Sequence, residues 1–326
     1  SSTAGLTIDP STGGINPSTS TPGNYIVTYT LSVAAGCSQV QTTTNVTITK
    51  IPTATITYAG NPFCTSITTN QSVTLTGTAA YTGGVYSSTS GLTIDPTTGS
   101  INPGTSTPGN YVVTYTVAAN AGCSQIQTTT NVTITESPTA SINYVGTPFC
   151  TSLTTNQPVT LNGTATYTGG VYSSISGLTI DPLTGAINPS TSTPGNYVVT
   201  YTIANAPGCS QIQTTTNIII TKLPTAAITY LTAPFCNSLT TNQDVTLTGT
   251  GNYTGGLYSS TTGLIINSTT GAINPNTSAS GNYVVTYSLA AVAGCAQVQT
   301  TTNVFITSAP SIISPTNYVV CDDNND

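Results

Sequence analysis

Residues 109–135 read GNYVVTYTVAANAGCSQIQTTTNVTIT, and this stretch decides the fold because a nearly identical run occurs four times at one fixed interval. Tyr111, Val113, Tyr115 and Val117 fall on one face of its first half, and Ile126, Thr128, Thr130, Val132 and Ile134 on one face of its second. Period-two alternation of this length predicts two β-strands. Between them Ala119-Asn120-Ala121-Gly122-Cys123 supplies the small residues, the asparagine and the glycine that a tight connection needs. Each copy therefore reads as a β-hairpin with a cysteine at its turn, and it carries no group suited to chemistry.

Working outward, Cys37, Cys123, Cys209 and Cys295 are spaced 86 residues apart, as are Tyr25, Tyr111, Tyr197 and Tyr283. A second series, Cys64, Cys150 and Cys236, keeps the same interval, and Cys321 closes it one residue short. Pro52, Pro138, Pro224 and Pro310 mark the joints. A fixed period of this kind is the signature of a repeat architecture. The expected organisation is 1–50 as the C-terminal part of one module, whole modules at 51–136, 137–222 and 223–308, and the start of something different at 309–326.

Within 51–136, Ala54, Ile56 and Tyr58 alternate in a first strand, Val73 and Leu75 in a second, and Gly84-Val85-Tyr86 gives a third. Leu92 to Ile101 reads as two short strands joined at Asp95-Pro96-Thr97-Thr98-Gly99, where the residue types fit a type I turn closed by a left-handed glycine. With the hairpin this makes about seven short strands per period, the pattern of an immunoglobulin-like β-sandwich. The fold class expected is all-β, as tandem 86-residue modules in an extended rod.

Composition narrows function. Only 3% of the 326 residues are charged, with two lysines, no arginine, no histidine and eight acidic residues. General acid–base catalysis lacks its usual side chains, so no enzyme is expected. A net charge of −6 without a basic patch argues against nucleic acid. Thr, Ser and Asn interrupt every apolar run, so no membrane-spanning helix is expected. Hydrophobic content of 37% and 18 tyrosines exceed what disordered polar tracts carry. The chain opens SSTAGLTIDP without a signal pattern, which reads as a piece of a longer, processed protein.

Two cysteines per period without metal-ligand spacing read as structural disulfides in an oxidising compartment. Pairing Cys64 with Cys123, Cys150 with Cys209 and Cys236 with Cys295 would staple each module, closing loops worth roughly 4 kcal/mol in the chain-entropy model and leaving Cys37 and Cys321 unpaired. The alternative joins Cys123 to Cys150 across the joint. Counting strands up and down puts the first strand's end and the hairpin turn at opposite poles, so the intramodule pairing requires a short or bent first strand near Pro62.

Other motifs have structural readings. Asp9, Asp95 and Asp181 could be calcium ligands, but the fourth copy replaces the aspartate with Asn267, which favours a turn. The pairs Tyr81/Tyr86, Tyr167/Tyr172 and Tyr253/Tyr258 could form sugar-binding platforms, although aromatics at strand spacing are more often core. Asp322, Asn324 and Asp326 match the first half of a calcium loop, D-x-[DN]-x-[DN], making Ca²⁺ the single cofactor candidate.

The module pattern, from P-T-A-x-I-x-Y and P-F-C through Y-T-G-G-V-Y-S-S and G-L-T-I-D-P to P-G-N-Y-V-V-T-Y-T and G-C-S-Q, resembles the tandem immunoglobulin-like repeats of very large surface adhesins from gliding bacteria, the SprB-type gliding-motility adhesins exported by type IX secretion. The resemblance implies an extracellular location on a bacterial cell surface, outer-membrane secretion and motility machinery as partners, and a stalk carrying a tip whose surface or glycan ligand is unknown. The alternative is that the modules themselves bind glycan.

Overall fold

The computed structural model describes residues 1–33 and 35–312. Cys321 and the expected calcium ligands Asp322, Asn324 and Asp326 lie outside the described residues, as does most of 309–326. The described chain is built of strands and forms two compact units. One comprises Ser1–Thr139, Thr164–Tyr167 and Ala204–Ile212; the other comprises Ala140–Gly163, Thr168–Ile203 and the chain from Gln213 on.

In the first unit the strands are β1 (Gly23–Leu31), β2 (Val40–Ile48), β3 (Thr53–Thr57), β4 (Phe63–Cys64), β5 (Thr74–Thr78), β6 (Val85–Ser88), β7 (Gly109–Val117) and β8 (Ile126–Thr135). β3 pairs antiparallel with β5, and a second sheet runs β4-β8-β7-β6. In that sheet β7 and β8 form the long hairpin read from the sequence, and β4 joins β8 in parallel. Ile56 from β3 and Val113, Tyr115, Val132 and Ile134 from β7 and β8 are buried in one cluster with Tyr58, Phe63, Tyr86, Leu92, Ile101 and Tyr111. Two sheets sharing one apolar interior make a β-sandwich. The first strand splitting between its own sheet and a parallel place beside the last strand makes it immunoglobulin-like.

The second unit repeats the plan. Its strands are β9 (Thr139–Asn143), β10 (Phe149–Cys150), β11 (Thr160–Thr164), β12 (Val171–Ser174), β13 (Gly195–Ile203), β14 (Ile212–Thr221), β15 (Thr225–Thr229), β16 (Phe235–Cys236), β17 (Thr246–Thr250), β18 (Leu257–Ser260), β19 (Gly281–Leu289) and β20 (Val298–Thr307). Sheets β10-β14-β13-β12 and β16-β20-β19-β18 match β4-β8-β7-β6 strand for strand. The protein is thus a tandem array of immunoglobulin-like β-sandwiches.

Tyrosine holds each sandwich in two ways. At the start of the hairpin Tyr25, Tyr111, Tyr197 and Tyr283 each donate a hydroxyl hydrogen bond four residues back, to the carbonyls of Thr21, Thr107, Thr193 and Ala279. This is the tyrosine corner of immunoglobulin-type folds. Deeper in, the Tyr115 ring packs on Tyr86 with centroids 4.5 Å apart. Its hydroxyl donates to the Tyr81 carbonyl and accepts from the Gly84 N–H, both at 2.8 Å.

Among the described residues of 1–50, β1 and β2 are the only strands, and Leu6, Tyr25 and Ile48 form the buried cluster. There Tyr29, the counterpart of Tyr115, is 64% exposed, against 1% for Tyr115. Tyr115→Phe leaves the Gly84 and Tyr81 groups without their partner and should cost about 1–3 kcal/mol. Tyr29→Phe should change stability by less than about 0.5 kcal/mol. Thermal unfolding of both variants checks the contrast.

Candidate functional site: cysteine bridges between repeats

The parallel pairing of β4 fixes where its cysteine can react. Phe63 lies opposite Ile134 and Cys64 opposite Thr135, and the Thr65 N–H extends the ladder to the Thr135 carbonyl. Cys64 therefore sits at the far end of β8. Cys123 sits before the start of that strand, in the hairpin turn, where Asn120 and Cys123 exchange backbone hydrogen bonds around Ala121 and Gly122. Both central residues have positive φ, as a type I′ turn requires. Ten residues of β8 separate the two cysteines, roughly 30 Å at strand rise, so they cannot bond.

The expected intramodule pairing is therefore corrected. Cys64 bonds Cys209, and Cys150 bonds Cys295, each with 4.8 Å between Cα atoms and a sequence separation of 145. Neither Cys64–Cys123 nor Cys150–Cys209 forms, and the alternative Cys123–Cys150 fails as well. Cys236, expected to bond Cys295, is free, as are Cys123 and Cys37; Cys37 is exposed. Each bridge joins the short parallel strand of one repeat to the hairpin turn of the next. Loops of this length are worth about 5 kcal/mol each in the chain-entropy model, and two overlapping loops are not additive.

Glycine makes room for the bridge. A Cβ on Gly208, beside Cys209, would lie 2.2 Å from the Pro62 carbonyl oxygen, and one on Gly294 would lie 1.9 Å from that of Pro148. Both glycines have φ near +77°, so the turn and the close approach ask for the same residue. Cys209 Sγ lies 3.9 and 3.8 Å from the carbonyl oxygens of Thr135 and Glu136. At the free Cys236 the Ser238 hydroxyl hydrogen-bonds the sulfur at 3.1 Å and pulls the thiol pKa down.

The other sequence candidates resolve into structure. Asp95 Oδ1 accepts from the Thr97 N–H, the Thr97 hydroxyl and the Thr98 N–H, while Gly99 closes the turn onto the Asp95 carbonyl. The Thr97 hydroxyl above all, then the Thr98 and Thr97 amides, hold this carboxylate at about 2. Ser11 lowers Asp9 in the same way, and the Thr184 and Leu183 amides lower Asp181. Asn267 accepts the equivalent bonds from Thr269 and Thr270 without a charge. The aromatic pairs form no open platform, because Tyr86, Tyr172 and Tyr258 are buried against Tyr115, Tyr201 and Tyr287. No cluster of potential metal ligands occurs among the described residues. None of their helices is long and apolar enough to cross a membrane.

No family model and no curated protein matches the sequence. Among solved structures, the chain is similar to three consecutive immunoglobulin domains of titin (12% identity, 80% of this chain and 100% of that one, TM-score 0.42). It is also similar to the first four extracellular cadherin domains of Drosophila N-cadherin (11% identity, 94% and 90%, TM-score 0.32). A third is a SusE-like, surface-located polysaccharide binding protein from the heparin utilisation locus of Bacteroides thetaiotaomicron (15% identity, 93% and 65%, TM-score 0.22). With scores this low the fold assignment rests on the strand order, and the likenesses carry no functional argument.

Trypsin cuts after Lys50 and Lys222 alone. Digesting the denatured, unreduced chain should leave 51–222 held to 223–326 through Cys150–Cys295, and reduction should split them; intramodule pairing would release 51–222 before reduction. The aspartate turns also set an acid response. A carboxylate with lowered folded-state pKa contributes stability above pH about 4 and loses it as pH falls toward about 2. Replacing Asp9, Asp95 and Asp181 together by Asn, as Asn267 already is, should flatten the fall in melting temperature between those pH values.

Proposed function

We propose that this chain is a structural stalk segment of a large bacterial cell-surface adhesin, built of repeats at 51–136, 137–222 and 223–308 and working as an extended rod. The observation that carries this reading is covalent: Cys64–Cys209 and Cys150–Cys295 each tie one repeat to the next. Disulfides persist in oxidising, extracellular settings. The sparse charge leaves a neutral polar surface, suited to spacing a tip from the cell without adhering to charged matter on the way. Gliding motility, type IX secretion and contact with that machinery rest on the sequence resemblance alone. Glycan binding by the repeats is the less supported alternative, because one tyrosine of each proposed platform is committed to the core.

Pulling the chain from its ends tests the stalk reading. The two bridges overlap, so tension between Cys64 and Cys295 can pass through the first bridge, back along 150–209 and through the second. That path is about 60 residues, or about 200 Å extended, whereas the reduced chain offers about 230 residues and about 780 Å. Single-molecule force spectroscopy should therefore show a gain of nearly 600 Å on reduction, from the same per-residue reach. Equal extension with and without reductant would remove the mechanical role of the bridges, and glycan-array binding by one isolated repeat would favour the alternative.

A further inference from the structure

We propose that the open edge of the hairpin's second strand pairs antiparallel with the same edge of a second copy of this chain. β14 shows the edge most plainly, with described chain on both sides of it.

A four-stranded sheet has two edges, and each presents backbone groups that need cover. On the β12 side the cover is built in: the Tyr172 N–H donates to the Pro182 carbonyl at 2.8 Å, as Tyr86 does to Pro96 and Tyr258 to Ser268. On the β14 side the cover stops short. β10 pairs only Phe149 with Ile220 and Cys150 with Thr221. The Thr151 N–H reaches the Thr221 carbonyl, and the Thr147 hydroxyl oxygen accepts from the Ile219 N–H at 3.2 Å. Backbone groups of successive residues point to opposite sides of a strand. Gln213, Thr215 and Asn217 therefore face the same side as Ile219 and Thr221, and among the described residues nothing bonds their backbone there.

The other repeats present the same window with different cover at one end. Asn61 spans the Asn131 carbonyl and the Thr133 N–H at 3.2 and 2.8 Å. Its counterpart Thr147 meets only the N–H, and the next counterpart, Ala233, has no polar side-chain atom for either. In both β8 and β20 the backbone of Gln127 and Thr129, and of Gln299 and Thr301, stays open on this side.

A second copy is what fits. With Thr215 on a two-fold axis, Gln213 of each chain lies opposite Asn217 of the other, and the outward N–H groups of one strand meet the carbonyls of its mate. β14 contains no charged residue and no proline, the usual means of holding identical edges apart. The side chains suit the same register. Gln213, Thr215 and Asn217 are exposed, and Gln213 gives its Nε2 to the Thr202 hydroxyl at 3.2 Å, which leaves Oε1 to accept from Asn217 of the second copy. The run Gln-Thr-Thr-Thr-Asn recurs at 41–45, 127–131 and 299–303, so pairings that are short one by one act together along the chain. The pairing rests on the strand edge and not on the stalk reading. Joined to that reading, chains that run in opposite senses are those projecting from two facing surfaces, which makes the contact one between cells.

Sedimentation velocity of the full chain should show association that rises with concentration. Replacing Thr43, Thr129, Thr215 and Thr301 by Lys, or all four by Glu, should weaken it at least about tenfold, because like charges then face each other across the axis. An equimolar mixture of the Lys and Glu chains should associate again, which also shows that both fold. Disulfide trapping in a glutathione buffer reads the register. A hydrogen-bonded antiparallel pair sets its Cα atoms about 5.5 Å apart, within reach of a disulfide. The Thr215→Cys chain should join itself through that position at least about tenfold more than it joins the free Cys37, Cys123 or Cys236. Gln213→Cys should join Asn217→Cys and not itself. A chain monomeric at every concentration, charged variants that associate as the parent does, a mixture that stays apart, or trapping without preference would each overturn the proposal.

Discussion

Two residues of parallel β-structure, Phe63-Cys64 against Ile134-Thr135, govern the covalent order of this protein. Because the short strand runs with the last strand, its cysteine emerges at the end where the chain leaves the sandwich. The hairpin turn lies at the other end. A disulfide inside one repeat would have to span the whole length of β8, while the turn cysteine of the following repeat lies within bonding distance. The connectivity is thus a result of strand direction, and Gly208 and Gly294 are its steric condition.

The rest of the interior is arranged so that few side chains do several tasks. Tyr115 fills the core, stacks on Tyr86 and satisfies two backbone groups from the neighbouring loop. Tyr58 bonds the carbonyl of Gly99 and so ties the first strand to the aspartate turn. Threonine covers the outer faces, where a branched side chain suits a strand and a hydroxyl suits water. A chain this poor in charge meets its polar requirements with backbone, hydroxyl and amide groups.

Much of this was legible in the sequence. The period, the long hairpin, the cysteine at its turn and the Asp95 turn all follow from local pattern, because each depends on residues close together in the chain. The splitting of the first strand was visible only as a difficulty, in that Cys64 and Cys123 fell at opposite poles. What resolves it is a non-local pairing of two residues, too short to leave a periodic trace. The bridge partners were hidden for the same reason: identical repeats make the cysteine of one copy indistinguishable from that of the next. The aromatic pairs were equally open from spacing alone, and burial of Tyr86 and its counterparts decides them.

The placement of both halves of a bridge in every repeat bears on how such an array can change length. A deletion or duplication of one whole period brings a Pro-Phe-Cys strand next to a different but equivalent turn, and the pairing rule is met again without any compensating substitution. Recombination between near-identical copies, which would scramble a set of disulfides unique to each position, here returns a chain stitched by the same rule. Length is therefore free to vary while the joint chemistry stays fixed.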